Sequence, residues 1–140
     1  MDFQDSIEIN ASPARIWDVL ADVERWPEWT ESMESVRKLD PGELRVGSKV
    51  AVVQPKVPPL TWIVTAIEPG RSFAWEADVR GVHSVATHAI EPNGGTSKVT
   101  LAVHQTGLPT KLFGWYLRRI SAKYVPMEAR GLKQRAESNG

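Results

Sequence analysis

The chain has 140 residues, no cysteine, and 17 basic against 17 acidic side chains, so its formal net charge is zero near neutrality. That length suits a single domain, residues 1–140, burying roughly 70% of the surface exposed by the unfolded chain. The composition excludes a disulfide framework and thiolate chemistry, removes the basic excess that marks nucleic-acid binders, and offers no run approaching the roughly 20 apolar residues that span a bilayer.

The first residues, Met-Asp-Phe-Gln-Asp-Ser, lack the cationic start and apolar run of a secretory signal, so a cytoplasmic protein is expected. Acidic residues crowd the first third, including Asp2, Glu8, Asp22 and Glu28. Basic ones crowd the last, including Lys111, Arg118, Arg119, Lys133 and Arg135. Packing of these segments against one another explains the asymmetry more simply than a membrane or anion site.

Residues 3–10 alternate weakly and end on Ile7 and Ile9, as a half-buried strand does. Ser12 and Pro13 then open a helix: the hydroxyl can accept from first-turn amides, and proline at the first helical position lacks an amide that would be unpaired anyway. Ile16, Trp17 and Leu20 share one face of it. Pro27 drives Trp26 from helical geometry and makes a second short helix, with Trp26 and Trp29 at the corner. Strands are expected at 33–39, 49–54, 61–67, 72–79, 82–90 and 97–105, separated by Asp-Pro-Gly-Glu, Pro-Lys-Val-Pro-Pro, Glu-Pro-Gly-Arg, Arg-Gly and Pro-Asn-Gly-Gly. Such turns join antiparallel neighbours in chain order. From 109 to 137 Leu112, Phe113, Tyr116, Ile120, Tyr124 and Met127 recur at helical spacing, predicting a helix roughly 40 Å long that covers the sheet and kinks at Pro126. Residues 137–140 read as a frayed tail.

Strand parity assigns the inner face, because a slip of one residue reverses it. Phe73, Trp75, Ala77 and Val79 face inward on one strand, Val99, Leu101, Val103 and Gln105 on another, and Val50 and Val52 on a third. His88 faces inward with Ser84 and Ala86, whereas His83 and His104 face outward. Trp62 and Val64 point inward, although Ile63 and Ile67 argue for the opposite register. Trp17 and Trp26 read as core filling.

The segments Ala-Ser-Pro-x-x-Ile-Trp-x-x-Leu-Ala-Asp at 11–22, Trp-Pro-Glu-Trp at 26–29, Val-Pro-Pro-Leu-Thr-Trp-Ile-Val-Thr at 57–65, Glu-Pro-Gly-Arg-Ser-Phe-Ala-Trp-Glu at 68–76 and His-Ala-Ile-Glu-Pro-Asn-Gly-Gly-Thr at 88–96 stand in a definite order. In that order the chain resembles the helix-grip superfamily of START domains and birch-pollen allergens. It is most similar to the bacterial polyketide cyclase/dehydrase-like members of the SRPBCC group. The resemblance implies an α+β fold: a seven-stranded curved antiparallel sheet wrapped around a long C-terminal helix, with two short helices between strands 1 and 2. It also implies a cavity for an apolar ligand.

Trp29, Val52, Trp62, Trp75, His88, Tyr116, Ile120 and Tyr124 are the expected cavity residues. His88 is the candidate acid/base, since imidazole side chains titrate near neutrality. No cofactor is expected. Three histidines of mixed parity do not make a metal site, Gly94-Gly95 lacks the helix start of a phosphate cradle, and no Gly-x-Ser-x-Gly elbow is present.

Three functions remain. One is the binding or carriage of a hydrophobic small molecule such as a lipid, a quinone-like ring or an aromatic metabolite. Another is a cyclase, aromatase or dehydratase in which His88, helped by Tyr116 or Tyr124, moves a proton. The last is a protein-interaction module that uses the proline loop at 55–59, with a possible homodimer. A cyclase should hold at least two polar groups converging on the apolar pocket, whereas a carrier needs one or none.

Overall fold

The computed structural model describes residues 1–138; the last two residues of the expected frayed tail lie outside the described residues. β1 (Asp2–Ile9) leads into α1 (Pro13–Ala21), which Ser12 caps by accepting the Arg15 amide at 3.1 Å. Ile16, Val19 and Leu20 form its buried stripe. A 3-10 helix, Val23–Glu28, contains Pro27 and delivers Trp26 to the core, where the indole N–H donates to the Leu20 carbonyl at 3.0 Å.

β2 (Ser35–Lys38), β3 (Lys49–Val53), β4 (Leu60–Glu68), β5 (Ser72–Val79), β6 (Val82–Asn93) and β7 (Thr96–Thr106) follow as consecutive antiparallel hairpins. β1 returns beside β7, giving the order β1-β7-β6-β5-β4-β3-β2 in one seven-stranded sheet. The strand expected at 33–39 is shorter at both ends, and Met33 is buried ahead of it.

The expected inner face is observed: Phe73, Trp75, Ala77, Ser84, Ala86, His88, Val99 and Leu101 are all buried. The conflict within β4 is resolved by a bulge. Its register with β5 shifts between Val64 and Ala66, so Trp62 and Val64 point inward and, past the extra residue, Ile67 lies opposite inward-facing Phe73. Parity holds on each side of a bulge but not across it.

α2 (Leu108–Glu137) departs from helical dihedrals at Phe113, with φ −122° and ψ 20°, and not at Pro126, so the expected proline kink is corrected. Proline removes one hydrogen bond from the ladder, and burial of the neighbouring Tyr124, Val125, Glu128 and Ala129 keeps the chain helical through that loss. Burial also divides the helix. Ser121, Val125, Ala129, Leu132 and Ala136 pack inward, whereas Leu108, Leu112, Phe113 and Trp115 are between 54% and 70% exposed. The second half covers the sheet, and the first half overhangs it.

Candidate ligand-binding cavity

Between the inner face of the sheet and α2 lies a cavity of about 220 Å³. Trp26, Trp62 and Trp75 form one wall, Tyr116, Leu117, Ile120 and Tyr124 form the helical roof, and Val57 and Pro58 close the side. The rings pack as a continuous aromatic group. Trp62 stacks on Trp75 with centroids 5.5 Å apart, and Trp26 lies tilted at 5.4 Å from Trp75. Such rings bury large areas while keeping few rotatable bonds, so they hold an open cavity without collapsing into it. Tyr124 donates its hydroxyl to the Pro55 carbonyl, which ties the proline loop to α2.

One end of the cavity is polar. His88 stacks on Phe73 at 4.1 Å, meets the edges of Trp26 and Trp75, and places Nδ1 3.3 Å from the Phe73 carbonyl. A carbonyl can only accept, so Nδ1 carries the hydrogen and Nε2 is left facing the cavity. Across from it, 3.7 Å away, stands Oε1 of Glu128, a residue only 9% exposed whose Oε1 has no hydrogen-bond partner. That separation is too long for a hydrogen bond. Burial of an unpaired carboxylate oxygen in an aromatic chamber is costly, and a group that donates into this gap would relieve the cost. A second polar point sits on β6 and β7, where the Gln105 amide donates to Ser84 Oγ at 3.0 Å and leaves its other end buried without a partner. Ser84 and His88 are four residues apart on one strand, which separates the two polar points by roughly 13 Å.

The family model for polyketide cyclase / dehydrase and lipid transport matches residues 1–137. The chain belongs to that family. A START-superfamily protein from Mycobacterium smegmatis matches its fold with a TM-score of 0.80 over 97% of each chain at 15% identity. A hypothetical protein from Helicobacter pylori gives 0.85 at 11% identity, covering 98% of this chain and 88% of that one. Norcoclaurine synthase from Thalictrum flavum, in complex with dopamine and hydroxybenzaldehyde, gives 0.78 at 14% identity, covering 100% and 88%. At these identities the likeness is one of fold. No curated protein sequence matches the chain.

In this polyketide cyclase/dehydrase-family chain, six of the eight expected cavity residues line the same space: Trp62, Trp75, His88, Tyr116, Ile120 and Tyr124. Trp29 and Val52 do not. Trp29 caps the 3-10 helix three residues after Trp26; the two ring centroids are 5.6 Å apart, and it is Trp26 that lines the cavity. Trp29 instead lines an open groove beside Gly131 and Arg135. Val52 is core, and the wall near it is supplied by its cross-strand partner Leu60 and by Trp62. Trp26, expected to be core alone, is both core and wall. Glu128 was missed although a signal for it existed. Tyr116, Ile120, Tyr124 and Glu128 recur every four residues, so one further turn along the expected stripe reaches the carboxylate.

Proposed function

We propose that this family member binds a compact, largely aromatic or aliphatic molecule that carries a hydrogen-bond-donating group, with that group seated between His88 Nε2 and Glu128 Oε1. The observation that carries the reading is the unpartnered Glu128 oxygen facing a histidine inside an otherwise apolar cavity. The volume lies just below the roughly 300–1,000 Å³ common for drug-sized ligands, which favours one or two fused rings or a short chain over a long acyl tail.

Naphthalene and 2-naphthol test this directly through quenching of tryptophan fluorescence. The expected result is saturation near one ligand per chain, with the naphthol bound about tenfold or more tighter, as a hydrogen bond to a charged group provides. Glu128→Leu should abolish that preference while naphthalene still binds. Equal affinity for the two probes in both proteins would remove the proposal.

A second reading is acid/base catalysis of an aldol-type closure with loss of water, and it is favoured by the convergence of two polar groups where a carrier needs at most one. His88 Nε2 would take a proton from carbon, and the Glu128 carboxylate beside it would stabilise the imidazolium so formed. Glu128 takes over the helping role first expected of the tyrosines, since Tyr124 is engaged with Pro55 and Tyr116 is 45% exposed. On a polyketide-like substrate, His88→Ala lowers turnover about 100-fold to 10,000-fold under this reading and leaves binding in place. Under the carrier reading there is no turnover to lose.

A further inference from the structure

The overhanging start of α2 is the most apolar exposed surface among the described residues. Leu108 and Leu112, one turn apart, are 70% and 64% exposed; Trp115, beyond the break at Phe113, is 68% exposed, and Phe113 and Tyr116 are exposed beside them. Within the same helix Lys111, Arg118, Arg119 and Lys123 precede the first acidic residue, Glu128. Arg118 is occupied by the Asp2 carbonyl and the Phe3 ring, and Lys123 leans over Tyr124. Lys111 and Arg119 are exposed and make no ion pair among the described residues; they flank Trp115 four residues to either side. Exposed Lys56, on the proline loop, lines the same cavity. Exposed Arg80 adjoins Gly81, which lies against Pro109 at the start of the helix. The nearest acid on β5, Asp78, is paired with His83 on the outer face.

We propose that this segment docks the protein on an anionic lipid bilayer, with the cavity mouth turned toward the lipid. A short helical segment, broken at Phe113, that exposes aromatic and aliphatic side chains among cations and is free of acids suits the plane of a membrane interface. Its rings sink to headgroup depth and its cations meet lipid phosphates. Charge argues against a second copy of the chain as the occupant, because a two-fold contact through this face would bring its own cations together. Tyr116, Leu117 and Ile120 belong both to this segment and to the cavity roof, so docking would place the mouth where apolar ligands partition. The proposal does not depend on what the cavity binds.

Flotation with phosphatidylcholine vesicles, with and without about one part in three phosphatidylglycerol, tests it. Binding is expected to be at least tenfold tighter on the anionic vesicles and to weaken with added salt. The exposed-site variants Leu112→Ser/Trp115→Ser and Lys111→Glu/Arg119→Glu should each reduce vesicle binding at least tenfold and leave the affinity for naphthalene unchanged, which shows the fold and cavity intact. Absence of vesicle binding at low salt, or binding indifferent to anionic lipid or to these substitutions, overturns the proposal. So does a concentration-dependent dimer that Leu112→Ser/Trp115→Ser dissociates. Loss of the naphthol preference with vesicle binding retained would count against the cavity reading alone.

Discussion

His83 lies on the outer face of the sheet between two carboxylates, with Nδ1 2.7 Å from Asp78 and Nε2 2.8 Å from Glu76. Hydrogen bonds that its ring N–H groups donate to Asp78 first and Glu76 second raise its pKa above the ordinary 6.5. Glu76 is held below its ordinary 4.5 by hydrogen bonds from Thr65 first and His83 second. The histidine's contribution to stability is fully present below 6.5 and fades as pH rises through its folded midpoint. That of Glu76 is present above 4.5 and fades as pH falls. The cluster therefore supports the fold most between those limits. A proton NMR titration of His83 should give a midpoint above 6.5, and Glu76→Gln/Asp78→Asn should lower it. A wild-type midpoint at or below 6.5 would show that the carboxylates do not hold the proton. Buried His88 differs in kind, because its partners are rings, a carbonyl and an unsatisfied carboxylate inside the cavity.

At the scale of elements, the second half of α2 is held by a close approach that glycine alone allows. A Cβ on Gly131 would stand 2.0 Å from the Trp29 carbonyl oxygen and 3.1 Å from its ring. Glycine inside a helix is ordinarily unfavourable by about 1 kcal/mol relative to alanine, so Gly→Ala there usually stabilises. Here the sign reverses. Gly131→Ala should destabilise by about 1–3 kcal/mol, the usual penalty of overpacking, as read from the urea midpoint at constant slope. An unchanged or raised midpoint would mean that the helix and the Trp29 corner separate easily. The same contact explains why Trp29 is lost to the cavity: it is spent on docking α2.

Across the whole molecule, the uneven charges partly meet. Arg135 pairs with Glu28 at 2.8 Å, and Lys133 Nζ reaches the Glu8 carbonyl at 2.9 Å and Glu137 at 2.6 Å. These contacts fasten the end of α2 to the first third of the chain, while its overhanging start has few buried partners. Amide hydrogen exchange should therefore be uneven along α2, about 100-fold or more faster at 108–117, which spans the break at Phe113, than at 121–136, because protection follows local burial. Uniform protection would show that the overhang is as firmly held as the rest. Among the described residues no helix is long and apolar enough to cross a membrane.

Element order, turn positions and most of the inner face were legible in the sequence, because alternation, proline, glycine and helix caps act over a few residues and leave a local pattern. So was His88, by counting back from Ile90. What the tertiary structure alone decided were features set by distant packing. The β4 bulge lets Val64 and Ile67 both face inward, the placement of Trp29 against Trp26 removes an expected cavity residue, and the helix runs on past Pro126 because its neighbours are buried. The approach of Glu128 to His88 belongs here too. Forty residues separate them in the chain, and only the curvature that lays α2 over the sheet brings a charged side chain, ordinarily read as solvent-facing, to within 3.7 Å of the histidine.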